Sequence, residues 1–164
     1  ESSKYKNNPD LARGRLMAAL DAARNLEIGD ASKIAVIGYC FGGTMALELA
    51  RSGADIDGIV SFHGGLDTQK PAAENSIVPE IQIHHGAADP HVPQVDVNDF
   101  MDEMLDAGTD FSFYAYEGAV HAFTEKHAGN DPSTGAAYDA EADRKSWARL
   151  KTFLNRIFSN STAE

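Results

Sequence analysis

In Ile34-Ala35-Val36-Ile37-Gly38-Tyr39-Cys40-Phe41-Gly42-Gly43 a short run without alternation, Ile34 to Tyr39, is followed at once by a cysteine framed by glycines. A run of this kind suits a strand covered on both faces, the environment of a parallel sheet. The residues after it, about Phe41 to Ser52, read as a helix ended by Gly53. Cys40 therefore falls on the turn between a buried strand and a helix, the context that lifts a nucleophile to the top of a sheet. Such a turn strains the backbone of the residue it presents. Its neighbours two positions away must be small, and Gly38 and Gly42 meet that need. The unpaired amide N–H groups at a helix start favour negative charge on the sulfur, and the N–H of Phe41 points at a developing oxyanion. A structural cysteine beside a helix-packing glycine is the other reading of these residues.

Outward from this stretch the chain alternates helices and strands. A helix is expected from about Pro9 to Leu26, with Asn8 as N-cap, Pro9 in the first turn and Asp10 facing the positive end of the dipole. The polar residues Glu1 to Asn8 read as loop. Further strands are expected at Gly58 to Phe62, Ile81 to His85 and Phe111 to Tyr116, with a turn at His63-Gly64-Gly65 and a loop or single helical turn over Leu66 to Pro79. Val97, Phe100, Met101, Met104 and Leu105 form an i, i+3, i+4, i+7, i+8 stripe that Gly108 ends, and Gly118 to Gly135 is irregular. A last helix, about Ala137 to Phe158, is expected to bury Trp147, Leu150, Leu154 and Ile157. The fold class is α/β: an open, mostly parallel sheet with helices on both faces, forming one domain over residues 1–164.

A cysteine nucleophile needs a base and a group to orient it, and in an open sheet of this kind they follow later, acid before histidine. Asp89 follows the third strand in Gly86-Ala87-Ala88-Asp89-Pro90, and His121 follows the fourth in Gly118-Ala119-Val120-His121. Both places lie at C-terminal strand ends, the rim where open sheets bind ligands. Either residue alone reads as an ordinary loop residue. The weight lies in three residues of the required types following three strands in the required order.

With those segments in view, the sequence resembles the dienelactone hydrolase family of α/β-hydrolases, through Gly-Tyr-Cys-Phe-Gly-Gly at 38–43, His-Gly-Ala-Ala-Asp-Pro at 85–90 and Val-His-Ala-Phe at 120–123. The resemblance implies Cys40 as nucleophile, His121 as base, Asp89 as its orienting acid, and cleavage of carboxylic esters or lactones through a thioester. Against that family the chain matches the C-terminal two-thirds. The absent part would supply a second oxyanion N–H, a glutamate near the resting cysteine, and the strands beside 34–39. An N-terminal segment of the same protein, possibly as a separate chain, is therefore an expected partner. Family members acting on an anionic dienelactone carry an arginine four positions after the histidine. Glu125 stands there in this chain, which points to neutral substrates, with Tyr39 and Phe123 as candidate pocket walls. Neutral phosphotriesters are an alternative substrate, since their tetrahedral centre is like the acyl intermediate.

Composition bounds the partners. The net charge of -11 repels phosphate backbones and small anions, so no nucleic acid partner is expected. The longest apolar run, Leu16 to Leu20, is far short of the ~20 residues of a membrane span, so no membrane partner is expected either. One cysteine cannot form an internal disulfide, which fits either a reducing compartment or a thiol kept for chemistry; the cytoplasm is expected, with the periplasm left open. A zinc site built from His84, His85, Asp89, His91 and His121 is the rival enzyme reading. Their spacing matches no zinc pattern, and His84 and His85 would face opposite sides of a strand, so no metal and no cofactor are expected. A non-catalytic binding module with a relic elbow is the remaining class.

Overall fold

The computed structural model describes residues 2–160. Four parallel strands, β1 (Ala35–Tyr39), β2 (Gly58–Phe62), β3 (Glu80–Gly86) and β4 (Phe111–Tyr116), lie side by side in chain order. Crossovers between neighbouring parallel strands are right-handed, so a sheet that grows in one direction carries its connecting helices on one face. Helices α2 (Pro9–Arg24), α3 (Phe41–Arg51) and α4 (Gln94–Asp106) share that face, where Leu20, Leu47, Phe100 and Met104 pack on Ile59, Ile81 and Ile83. Helix α5 (Ala140–Asn160) covers the other face, where Leu150, Phe153 and Ile157 meet Val60 and Phe62. Burial of each such side chain stabilises the fold by about 1.5–3 kcal/mol.

Register aligns one row of rings across the sheet. Tyr39 pairs with Phe62, Phe62 with His84, and His84 with Tyr114. Their rings stack at centroid distances of 4.6, 4.5 and 5.7 Å, and the Arg149 guanidinium closes the row 4.1 Å above Tyr114. His84 completes its bonding with Tyr116 and Gln82. His85, one residue on, turns to the opposite face against Phe113, so the two neighbours cannot share a ligand.

Capping follows the sequence at α2, where the Asn8 side chain accepts from Leu11 N at 3.1 Å. Gly108 adopts the left-handed conformation that ends α4. Other expectations are corrected. Residues 2–6 form a short helix, α1 (Ser2–Lys6), rather than a loop. The first long helix stops at Arg24, leaving Leu26 exposed. Strands covered on both faces are β2 and β3; β1 is only half-buried, with Ile37 and Tyr39 each more than a third exposed. As the edge of the sheet, β1 has no strand on its outer side among the described residues.

The last helix starts at Ala140, where the Asp139 side chain accepts from Glu141 N and Ala142 N. Its inward stripe is Ala142, Ser146, Leu150, Phe153 and Ile157, which leaves Trp147 half exposed. Helix geometry places Trp147 about 100° around from Ser146, and small Ala142 and Ser146 let the helix lie close on the sheet. Likewise Leu105, on the margin of the α4 stripe, faces solvent. Among the described residues no helix is long and apolar enough to cross a membrane.

Candidate active site

Cys40 occupies the turn between β1 and α3 with φ 52° and ψ -123°, a conformation rare for a residue with a side chain. Backbone crowding enforces it. A Cβ on Gly38 would stand 2.0 Å from the Gly42 carbonyl oxygen, and one on Gly43 would meet Ser61 Oγ at 2.4 Å. Gly42, expected to be small for its own sake, has open space around its Cβ position. Its contribution is the backbone that Gly38 approaches. Phe41 opens α3, and the N–H of a first helical residue has no intrahelical acceptor, so it is free to bond a ligand.

The sheet rim brings the three candidate residues together. Cys40 Sγ lies 3.1 Å from His121 Nε2, and His121 Nδ1 donates to Asp89 Oδ2 over 2.9 Å. The Asp89 side chain is fully buried, and its other oxygen accepts from His91 N at 2.8 Å. Burial pushes the Asp89 carboxyl up, but the His121 and His91 hydrogen bonds outweigh it and hold it below its usual range. The bond to Asp89 raises His121 to about 9, against the opposing effect of burial and with help from Cys40. At neutral pH the imidazole therefore faces the sulfur as an imidazolium.

A cleft of about 190 Å³ opens beside the sulfur, bordered by Phe41, Thr44, Val92, His91 and His121. Lys6 of α1 also reaches it, its charge matched by Asp67 at 3.1 Å. The expected pocket walls are elsewhere. Phe123 is fully buried in the cluster under α5, and Tyr39 stacks on Phe62 in the ring row. Glu125 lies 3.6 Å from His127 and does not border the cleft. Among the described residues no group of three or more His, Cys, Asp and Glu side chains is arranged to hold a metal ion.

Two further histidines stand at the site. The His91 and His63 rings each meet His121 edge-on at 5.3 Å. In the sequence His63 reads only as part of a turn; its place at the C-terminal end of a strand, on the same rim as Asp89 and His121, is the signal that points to it.

Residues 2–158 match the family model of the dienelactone hydrolase family. The chain belongs to the dienelactone hydrolase family. Its sheet and helices have the α/β-hydrolase fold. An uncharacterized protein of Caenorhabditis elegans is 36% identical over 88% of this chain and 93% of its own length. A protein of Saccharolobus solfataricus assigned by name to the carboxymethylenebutenolidases is 30% identical over 76% of this chain and 45% of its own length. Among solved structures, a dienelactone hydrolase-like promiscuous phosphotriesterase from metagenomic libraries superposes with a TM-score of 0.85 at 36% identity, covering 94% of this chain and 65% of that one. The chain thus spans nearly all of one family relative and about half to two-thirds of the others.

Proposed function

We propose that this chain carries the reacting groups of a carboxylic ester or lactone hydrolase that works through a thioester on Cys40. The observation that carries the reading is the relay of sulfur, imidazole and buried carboxylate at 3.1 and 2.9 Å. Cys40, as the thiolate partner of the His121 imidazolium, adds to the ester carbonyl while the Phe41 N–H bonds the oxyanion. As the tetrahedral centre collapses to the thioester, the proton on His121 passes to the departing alkoxide. Neutral His121 then takes a proton from the water that attacks the thioester, and collapse of this second tetrahedral centre breaks the C–S bond, releasing the carboxylic acid and restoring the sulfur beside the protonated imidazole. Asp89 fixes the tautomer throughout. The base contributes roughly 10²–10⁴-fold and one oxyanion donor roughly 10²–10³-fold, so the groups share the acceleration.

Neutral esters and lactones fit best. The net charge of -11 and Glu125, four positions after His121, work against an anionic substrate, and the lysine at the cleft, Lys6, is already paired with Asp67. A second substrate class, neutral phosphotriesters, is supported by the 36% identity to the promiscuous phosphotriesterase. In the same reading a segment of the full protein, on the same chain or a separate one, pairs with the outer edge of β1 and adds a second oxyanion N–H. Its support is the half-exposed β1, an edge of the kind that invites pairing, together with the greater length of most of the relatives named above.

The test is a panel of neutral and anionic esters, lactones and phosphotriesters with the complete protein and its Cys40→Ala variant. Hydrolysis of neutral esters that disappears with Cys40 supports the reading. Absence of hydrolysis throughout would favour a binding module with a relic elbow.

A further inference from the structure

Among the described residues four that are not glycine have a positive φ; two of them, Cys40 and His63, touch the imidazole of His121, and a third, Ala122, follows it in the chain. Such strained residues cost about 1–3 kcal/mol each and persist where the surrounding structure over-determines them. Cys40 has its role in the elbow, and Ala122 directly follows His121. His63 has none assigned.

His63 directly follows β2, its N–H donating to His84 O at 2.8 Å, and the residue is 1% exposed. Nε2 lies 2.8 Å from Thr124 Oγ1, and Thr124 belongs to the turn that presents His121. The ring stands edge-on to both His121 and Phe123, at 5.3 and 5.2 Å, and tilted 6.0 Å from Tyr39. On its far side the same turn is tied by backbone bonds, His121 N to Gly135 O, Ala137 N to His121 O and Asp139 N to Phe123 O. His63 is thus the clasp on the sheet side.

We propose that His63 is a positioning residue: by bonding Thr124 and packing its ring edge on His121, it docks the 121–124 turn on the end of β2 and keeps Nε2 of His121 at the sulfur of Cys40. The proposal rests on the reading of Cys40 and His121 as the reacting pair. Ionisation supports the geometry. The charged and titratable groups facing His63 are Tyr39 from β1, Asp89 after β3 and His121 after β4. Burial, aided by the positive His121, drives His63 down to about 4, and its buried Nδ1 has no hydrogen-bond acceptor for a second proton. It stays neutral beside a cation, where a charged neighbour would repel the imidazolium and turn it away from the sulfur.

The experiment compares Thr124→Val, His63→Phe and His63→Gln with wild type in the complete protein. It reads kcat and KM on p-nitrophenyl butyrate, the pH dependence of iodoacetamide alkylation of Cys40 without substrate, and the folding midpoint. Displacement of a reacting group by about 1 Å costs up to roughly 10²-fold. Thr124→Val and His63→Phe are therefore expected to lower kcat by about 10-fold or more with KM little changed, and to displace the alkylation profile. His63→Gln, whose amide can still reach Thr124, should recover most of the loss. If His63→Phe fails to fold, the near-isosteric Thr124→Val decides. Unchanged kcat and alkylation in folded variants, with or without a lower folding midpoint, would overturn the proposal and leave the reacting pair intact. A wild type whose Cys40 is alkylated like a free thiol at every pH, and which hydrolyses nothing, would overturn both.

Discussion

Gly38 passes so close to Gly42 that a β-carbon on the first would stand 2.0 Å from the carbonyl oxygen of the second. Neither partner in this contact can yield cheaply, because the obstacle is backbone at the start of a buried helix. Gly38→Ala is therefore expected to destabilise the fold by roughly 2–4 kcal/mol and to abolish activity. Gly42→Ala, with nothing within 4 Å of its Cβ position, should change stability by less than about 1 kcal/mol. Urea unfolding of the two variants separates them; equal costs would show that the elbow is not set by this contact.

Arg51 predicts a second sensitivity, away from the rim. Its guanidinium, almost wholly buried, donates to Glu103 at 2.7 and 2.9 Å, to Glu48 at 3.0 Å and to the Leu66 carbonyl at 2.8 Å. Glu103 in turn accepts from Ala72 N, so this cluster ties α3, α4 and the long β2–β3 loop together. Removing Arg51 leaves the Glu103 carboxylate without a counter-charge, while Glu48 keeps Arg13 at 2.9 Å, and Arg51→Met is expected to cost about 3–5 kcal/mol in urea unfolding. A cost below 1 kcal/mol would place the loop's anchor elsewhere.

Stability should peak near pH 6.5. On the acid side, burial holds His84 down to about 3 and His63 to about 4, while unfolded histidines titrate near 6.5. The unfolded chain then binds more protons between those limits, so stability falls as pH drops below 6.5, by up to about 1.4 kcal/mol per pH unit for each residue. On the alkaline side the sign reverses. His121 is raised to about 9, so its contribution is complete below 6.5 and is lost as pH climbs through 9. Urea unfolding between pH 4.5 and 9.5 checks both limbs. His84→Phe should flatten the acid limb and His121→Gln the alkaline one; limbs untouched by these changes would contradict the assignments.

Sequence alone was enough for the parallel sheet and the three residues at its rim, because each rests on local chemistry: an unalternating strand, a glycine-framed turn, an acid and a histidine after later strands. What depends on the placement of distant elements was not legible. Trp147 and Ser146 are adjacent, and the helical periodicity permits either to face the sheet; the close fit of Ala142 and Ser146 decides for the smaller pair. Phe123 follows His121 closely, yet the left-handed Ala122 turns the chain and sends Phe123 into the core instead of the cleft. The apolarity of Ile34 to Tyr39 reads as full burial, whereas β1 lies at the edge of the four strands and remains half-buried. His63 needed the fold to reveal it, since its partner Thr124 is 61 residues away.

Asp89 should matter to turnover more than to folding. Its oxygen bonds His121 Nδ1, and Asp89→Asn presents a donor or an acceptor according to its rotamer, so the imidazole loses its enforced tautomer. By analogy with serine triads, kcat is expected to fall on the order of 10⁴-fold in a protein that still folds. Steady-state kinetics with a folded variant provide the check; a loss below about 10-fold would reduce Asp89 to a turn residue.

The account stands on a covalent bond between substrate and Cys40. Acid-quenched mass spectrometry of the complete protein, mixed with excess p-nitrophenyl acetate and digested, measures that bond directly. The expected result is one acetyl group on the peptide containing Cys40, formed within the first turnover and absent from Cys40→Ala. Full hydrolysis by Cys40→Ala, or steady turnover by wild type with the acetyl group on another residue, would contradict it.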